Sequence, residues 1–243
     1  MEITYIAHSG FFLDMGDIGF LFDYYKGKLP DMGTDRPLVV FVSHWHPDHY
    51  NPEIFTLTKK YPHVHYVLSK DVHFRRVVSE YRQQGIELSE KITVCRRDSF
   101  QDLTLEGGRQ LHITTLRSTD EGVAYFLEYE GRTIYHAGDL NRWVWKGESK
   151  AYNNNMDSNY RRELEKIRGR RIDVAFVPLD PRQREEAFGG MKLFLEYTES
   201  RMVFPMHFWT KYRIIRRFCE AYPEYAGQIA RIERRGQKFS LME

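Results

Sequence analysis

Short apolar runs separated by turn residues open the chain. Ile3 to Ala7 gives way to Ser9-Gly10, Phe11 to Leu13 to Gly16-Asp17, and Ile18 to Phe22 ends at Asp23. This spacing predicts strands that begin in an antiparallel arrangement. Leu38-Val39-Val40-Phe41-Val42 shows no polar alternation and is β-branched, which predicts a strand buried on both faces of a layered α/β protein. It runs straight into Ser43-His44-Trp45-His46. Asn51-Pro52 reads as the N-cap and N1 pair of a helix, and Phe74, Val77, Val78 and Tyr81 recur at helical spacing before a stop at Gly85. In the second half, strands are predicted at Leu111 to Thr115, Val123 to Tyr129, Thr133 to His136, Val174 to Val177 and Met202 to Phe204. Helical patterns lie between and after them at Tyr160, Leu164 and Ile167, at Met191, Phe194 and Leu195, and at Tyr212, Ile215 and Cys219. Two strand-rich halves with interspersed helices predict an α/β sandwich. No linker interrupts the pattern, so residues 1–243 read as a single domain.

Composition narrows the function classes. Thirty-six Lys plus Arg stand against 34 Asp plus Glu, with 42% hydrophobic residues, which places the chain among soluble globular proteins and excludes disordered and fibrous ones. The arginine clusters at 75–76, 161–162, 168–171 and 231–235 are interspersed with acids, and the net charge is only +2. They read as solvated helix faces, and nucleic acid is not an expected partner. No apolar run approaches the roughly eighteen residues of a membrane span. The N-terminus lacks the basic and apolar regions of a secretory signal, so a cytoplasmic address is expected. Cys95 and Cys219 stand far apart, outside any Cys-x-x-Cys pattern, and read as small buried hydrophobes.

The chemistry concentrates after the buried strand. His44-Trp45-His46-Pro47-Asp48-His49 brings three imidazoles and a carboxylate into one tight segment, a metal-binding pattern suited to zinc, manganese or iron. This His-x-His-x-Asp-His segment resembles the defining motif of the metallo-β-lactamase superfamily. Asp23 ends a strand as the acidic residue of that superfamily's first motif does. Asp139, in Gly138-Asp139, resembles its bridging aspartate, and His207 its last metal histidine. The elements follow family order along essentially the whole chain. His8-Ser9-Gly10-Phe11 and the run from Tyr135 to Asn141 are most similar to the bacterial branch that includes ascorbate phosphate lactonase.

The resemblance implies a four-layer αββα sandwich with two divalent metal ions at one edge, between the sheets: zinc first, with manganese or iron as alternatives. The chain departs from the family in one place. The loop from Leu116 to Gly122 carries no histidine where the superfamily usually supplies a third one to the first metal. Asp120 is the residue placed there, with Glu121 second; the other reading of Asp120 is a turn former, and the first position could then be weak or empty. The implied set is His44, His46 and Asp120 at the first metal, Asp48, His49 and His207 at the second, and Asp139 bridging.

Two cations sharing a water lower its pKa toward neutrality and polarise a substrate oxygen. No Gly-x-Ser-x-Gly elbow is present to offer a covalent alternative. Asp48 is read as catalytic as well as metal-binding. His8 reads as a proton donor or substrate ligand, or else as a turn histidine. His136 is expected to pack behind the ligands. Trp45, Trp143, Trp145, Phe208 and Trp209 could wall a pocket, or belong to the core. Asp180 and Arg182 lie on a loop at the same edge, where they could touch substrate or form a simple turn. His63, His65, His73 and His112 receive no role. The expected activity is metal-dependent hydrolysis of a small-molecule ester, lactone, amide or phosphoester. The alternatives are an RNA or DNA nuclease or phosphodiesterase, for which 243 residues leave no room for gripping domains, and a non-catalytic ligand-sensing protein. Oligomeric state is not legible.

Overall fold

The computed structural model describes residues 1–241. Strands β1 (Glu2–Ala7), β2 (Gly10–Asp14) and β3 (Gly19–Phe22) form the antiparallel start that the turns predict. The sheet then continues in parallel through β4 (Leu38–Val42), β5 (Val64–Ser69) and β6 (Ile92–Cys95), with helix α1 (Arg75–Gln83) between the last two. Every residue of β4 is buried, because it has a parallel neighbour on each side and apolar layers on both faces.

The second sheet begins antiparallel with β7 (Phe100–Thr104), β8 (Gln110–Arg117), β9 (Val123–Tyr129) and β10 (Arg132–His136). After helix α2 (Lys150–Glu165) it turns parallel, adding β11 (Arg171–Pro178), helix α3 (Gly189–Tyr197) and β12 (Glu199–Met206). Helix α4 (Arg213–Ala221) follows, and β13 (Lys238–Ser240) returns to pair with β1 of the first sheet. The sheet orders are β13-β1-β2-β3-β4-β5-β6 and β12-β11-β10-β9-β8-β7.

Aromatic side chains join the sheets face to face, with Phe11 against Phe176 at 4.4 Å between ring centres and Phe41 against Tyr125 at 5.3 Å. That core continues under α2, α3 and α4, while a second core covers the outer face of the first sheet beneath α1 and the segment Pro52–Lys59. The result is the α/β sandwich that the pattern and the resemblance imply. Among the described residues no helix is long and apolar enough to cross a membrane.

Some elements differ from expectation. Asn51 does cap a helix, its side chain accepting from the Glu53 N–H, but the helix is 3-10 in type. Ile167 lies beyond the end of α2, and Tyr212 caps α4 instead of starting it. Strands β5, β6, β7 and β13 were not anticipated at all.

Candidate metal centre

The candidate residues gather where strands of both sheets end. His8 follows β1, Asp23 follows β3, the His44–His49 segment follows β4, Asp139 follows β10, and His207 follows β12. His8, Asp23 and His207 all adopt positive φ, at 54°, 40° and 63°. Non-glycine residues adopt that conformation only when the surrounding structure compels it, and such strain clusters at functional sites.

Asp23 is fully buried and organises the histidines behind the cleft. Its carboxylate accepts from the Ser43 N–H at 2.7 Å, from the Ser43 hydroxyl at 2.6 Å and from His49 Nδ1 at 2.7 Å. Because the Ser43 hydroxyl donates to Asp23, its oxygen is left to accept from His44 Nδ1, 2.9 Å away. On the far side, His207 Nδ1 donates to Asp180 at 2.9 Å. Each of these three rings therefore spends its Nδ1 hydrogen bond on the protein and turns Nε2 into the cleft.

Those nitrogens face a carboxylate. Asp139 Oδ1 lies 3.3 Å from both His49 Nε2 and His207 Nε2, while Oδ2 lies 3.6 Å from His44 Nε2. His44 Nε2 and His46 Nδ1 are 3.0 Å apart. His49 Nε2, Asp139 Oδ1 and both ring nitrogens of His8 are buried without a hydrogen-bond partner. His8 Nε2 approaches Asp48 Oδ2 at 3.3 Å. Converging imidazole nitrogens and carboxylate oxygens are the donor set of a cation site, and two clusters have the dimensions to hold one: His44, His46 and Asp139, and His8, Asp48, His49 and His207.

Charge within the cluster is strongly coupled. Burial opposes protonation of His49, but Asp139 and Asp23 outweigh it and raise its pKa well above the ordinary value. Burial likewise opposes protonation of His207, yet Asp139 and Asp180 carry it up to about 9. Burial, reinforced by His49, pushes His44 down to about 3, and burial pushes His8 down to about 4. The carboxylates thus demand positive charge from the cleft, which protons or metal cations can supply.

Asp120 joins neither cluster. Its N–H donates to the Ser118 hydroxyl at 3.1 Å, and the exposed residue lines a neighbouring cavity with Arg97, Arg117 and Arg162. Burial and then repulsion from Asp139 raise its pKa. His136 packs behind the ligands: its Nδ1 accepts from the Gly138 N–H at 3.1 Å and its Nε2 donates to the Ser9 carbonyl at 3.0 Å. Asp180 is fully buried and holds Arg182 as well as His207. The parallel register that pairs Pro178 with Met206 is what brings this loop to His207.

The aromatic set divides. Phe208 stacks on Tyr5 in the core, Trp143 donates to the Asp139 carbonyl at 2.8 Å, and Trp145 stacks on Trp143. Trp45 is exposed beside His46, and Trp209 packs on His8 with its outer face open. Sequence reasoning missed Ser43 as a hub and placed His8 outside the ligand cluster. A serine directly before the first histidine and a histidine directly after β1 were the available signals.

Residues 2–207 match the family model of the beta-lactamase superfamily domain. Solved structures share the architecture. Igni18, described as a novel metallo hydrolase from the hyperthermophilic archaeon Ignicoccus hospitalis, is 17% identical with a TM-score of 0.63 over 99% of each chain. Human tRNase Z, short form, is 12% identical with a TM-score of 0.57 over 100% of each chain. CmlA, a diiron β-hydroxylase from Streptomyces venezuelae, is 11% identical with a TM-score of 0.60 over 99% of this chain and 54% of its own. At such identities the likeness is one of fold. No curated protein sequence matches.

Proposed function

The chain belongs to the beta-lactamase superfamily, and from that membership together with the geometry of the cleft we propose that it is a dinuclear metal-dependent hydrolase acting on a small molecule. The observation that carries this reading is Asp139, whose two oxygens face the two ligand clusters separately: Oδ2 toward His44, and Oδ1 toward His49 and His207. His44, His46 and Asp139 would hold one cation, and His8, Asp48, His49 and His207 the other, with Asp139 reaching both. Divalent cations there supply Lewis-acid activation of water and of a substrate oxygen. Zinc suits the nitrogen-rich set, and manganese or iron suits it less well.

The protein's own contribution is orientation. Asp23 and Ser43 hold His49 and His44 with Nε2 facing inward, and Asp180 does the same for His207. Asp48 is the ligand carboxylate with partial access to solvent, a quarter of its side chain being exposed. It is therefore the group placed to take a proton from a reacting water or deliver one to a leaving group. In this reading His8 is a metal ligand instead of the proton donor, substrate ligand or turn histidine that the sequence suggests; its 1% exposure and its place in the cluster of Asp48, His49 and His207 support this. Asp120 is left out of the set. The bond cleaved is an ester, lactone, amide or phosphoester.

Elemental analysis of protein purified without chelator tests the assignment. We expect two equivalents of metal in the wild type and in Asp120→Asn, and at most one in Asp139→Asn. Full metal content and full ester hydrolysis in Asp139→Asn would overturn it.

A further inference from the structure

A cavity of about 790 Å³ opens beside the metal cleft, lined by residues 181–182, by the stretch from Trp209 to Ile214 and by Arg217. Trp209 is the shared wall. Its ring packs on His8 at 4.3 Å between centres, and the same residue lines the cavity. The Arg182 guanidinium stands 5.7 Å from the same ring and is held by Asp180, the carboxylate that orients His207. A molecule in this cavity is thus one side chain away from the proposed chemistry.

The charge of the lining is one-sided. Arg182, Lys211, Arg213 and Arg217 contribute to it, and no acidic residue does. Arg182 is paired with Asp180, but Lys211, Arg213 and Arg217 are exposed and make no ion pair with a carboxylate among the described residues; Arg217 only approaches the Phe188 ring. Arg213 and Arg217 stand at i and i+4 on α4, where like charges repel. The other arginine of that turn, Arg216, is neutralised by Glu220. Among the described residues the helix therefore pairs Arg216, which lines a second cavity, and leaves without a carboxylate partner Arg217, which lines this one, and Arg213, which lines both. A concave site with one sign of charge and an apolar floor concentrates small ions of the opposite sign.

We propose that this cavity is the substrate pocket and that it selects small organic anions: a carboxylate or phosphate group sits among Lys211, Arg213 and Arg217, and the bond to be cut lies across Trp209 at the metal ligands. The assignment rests on the hydrolase reading given above and specifies its substrate class. A polyanion such as RNA fits less well, because a net charge of only +2 gives the chain no extended positive field.

Two chromogenic esters test it on the metal-loaded protein: 4-nitrophenyl butyrate, which is neutral, and mono-4-nitrophenyl glutarate, which carries a carboxylate at the far end. The wild type should favour the anionic ester in kcat/KM by about tenfold or more, and 0.5 M NaCl should shrink that preference. In Lys211→Ala/Arg213→Ala the ratio of anionic to neutral kcat/KM should fall about tenfold, chiefly through KM of the anionic ester. A variant that slows both esters equally, or neither, overturns the proposal. Calorimetric titration with glutarate and with inorganic phosphate separates this from failure of the hydrolase reading. If neither ester is cleaved but either anion binds the wild type and binds the double variant about tenfold more weakly, the pocket stands and the hydrolase reading falls. The stronger binder of the two identifies the preferred anionic group. Absence of binding, equal binding by both proteins, or far tighter binding of a twelve-nucleotide single-stranded RNA overturns the pocket.

Discussion

Asp23 and Asp180 touch no substrate in the arrangement described, yet they set which nitrogen each histidine presents. Asp180 offers the simpler experiment, because it accepts from His207 Nδ1 and pairs with Arg182 without anchoring a strand. Asp180→Asn keeps the shape but removes the charge that holds the ring and makes it basic. Metal affinity at the cluster containing His207 should fall about 10- to 100-fold, the range typical for an outer-shell partner of a ligand histidine. The cluster of His44 and His46 should retain its affinity, which competition titration with a chromophoric chelator can resolve. At this scale the His44–His49 segment was legible because its ligands are close in sequence and of one chemical type. Ser43 and Asp180 were not, because a serine or an Asp-Pro turn acquires a role only when tertiary register sets it against a distant ring. Asp120 shows the converse: its residue type and loop suggest either a ligand or a turn former, and its N–H closes a turn through Ser118.

Between residues and the whole chain, the two sheets meet closely where the β8–β9 turn passes the end of β4. The Val123 N–H donates to the Ser43 carbonyl at 3.0 Å, tying the end of one sheet to the start of a strand in the other. Gly122 makes this approach possible: its φ is +70°, and an added Cβ would collide with the Ser43 carbonyl and with His44 Cβ. Gly122→Ala should destabilise the fold by about 2–4 kcal/mol in urea unfolding and should loosen metal at His44 and His46 before the other cluster. A pH effect belongs to β5. His65 lies between its neighbours with Nε2 at 2.8 Å from the Thr93 hydroxyl, and burial, reinforced by Lys91, lowers its pKa to about 4. The unfolded chain titrates near 6.5, so it takes up the proton first as pH falls, and stability is lost between about 6.5 and 4. Going from pH 7.5 to 5, the wild type should lose about 1 kcal/mol more than His65→Gln. The strands that escaped sequence reading share a feature with this one. In β5, His65 and Tyr66 interrupt the aliphatic run, β7 alternates between exposed and half-buried positions, and β13 is three residues long. Such strands are held by backbone pairing with distant partners, and their own side chains carry little signal.

Seen across the whole molecule, the order of motifs made the architecture legible, because each ligand follows a strand and strands of two sheets must converge to assemble one site. That same arrangement makes metal a structural cross-link. The first sheet supplies His8, His44, His46, Asp48 and His49, and the second supplies Asp139 and His207. The unfolded chain cannot hold these groups together, so cations that bind only the folded state add RT ln(1 + [L]/Kd) to its stability, about 4 kcal/mol at a thousandfold excess over Kd. For a domain of this size each kcal/mol moves Tm by roughly 2–4 °C, so stripping metal with EDTA should lower Tm by about 8–16 °C, and adding zinc back should restore it. In the metal-free protein Asp139 and the neighbouring carboxylates favour the protonated forms of His49 and His207. For His207 the folded pKa of about 9 exceeds the unfolded 6.5. Its contribution is therefore full below pH 6.5 and is lost as pH rises through 9. Metal competes with those protons, so the Tm difference between loaded and stripped protein should widen from pH 6.5 to 9. Asp139→Asn, which removes the carboxylate facing both clusters, should show a small EDTA effect and a nearly flat pH dependence of that difference. A wild type whose Tm is indifferent to EDTA across this range would separate the two sheets' union from metal altogether.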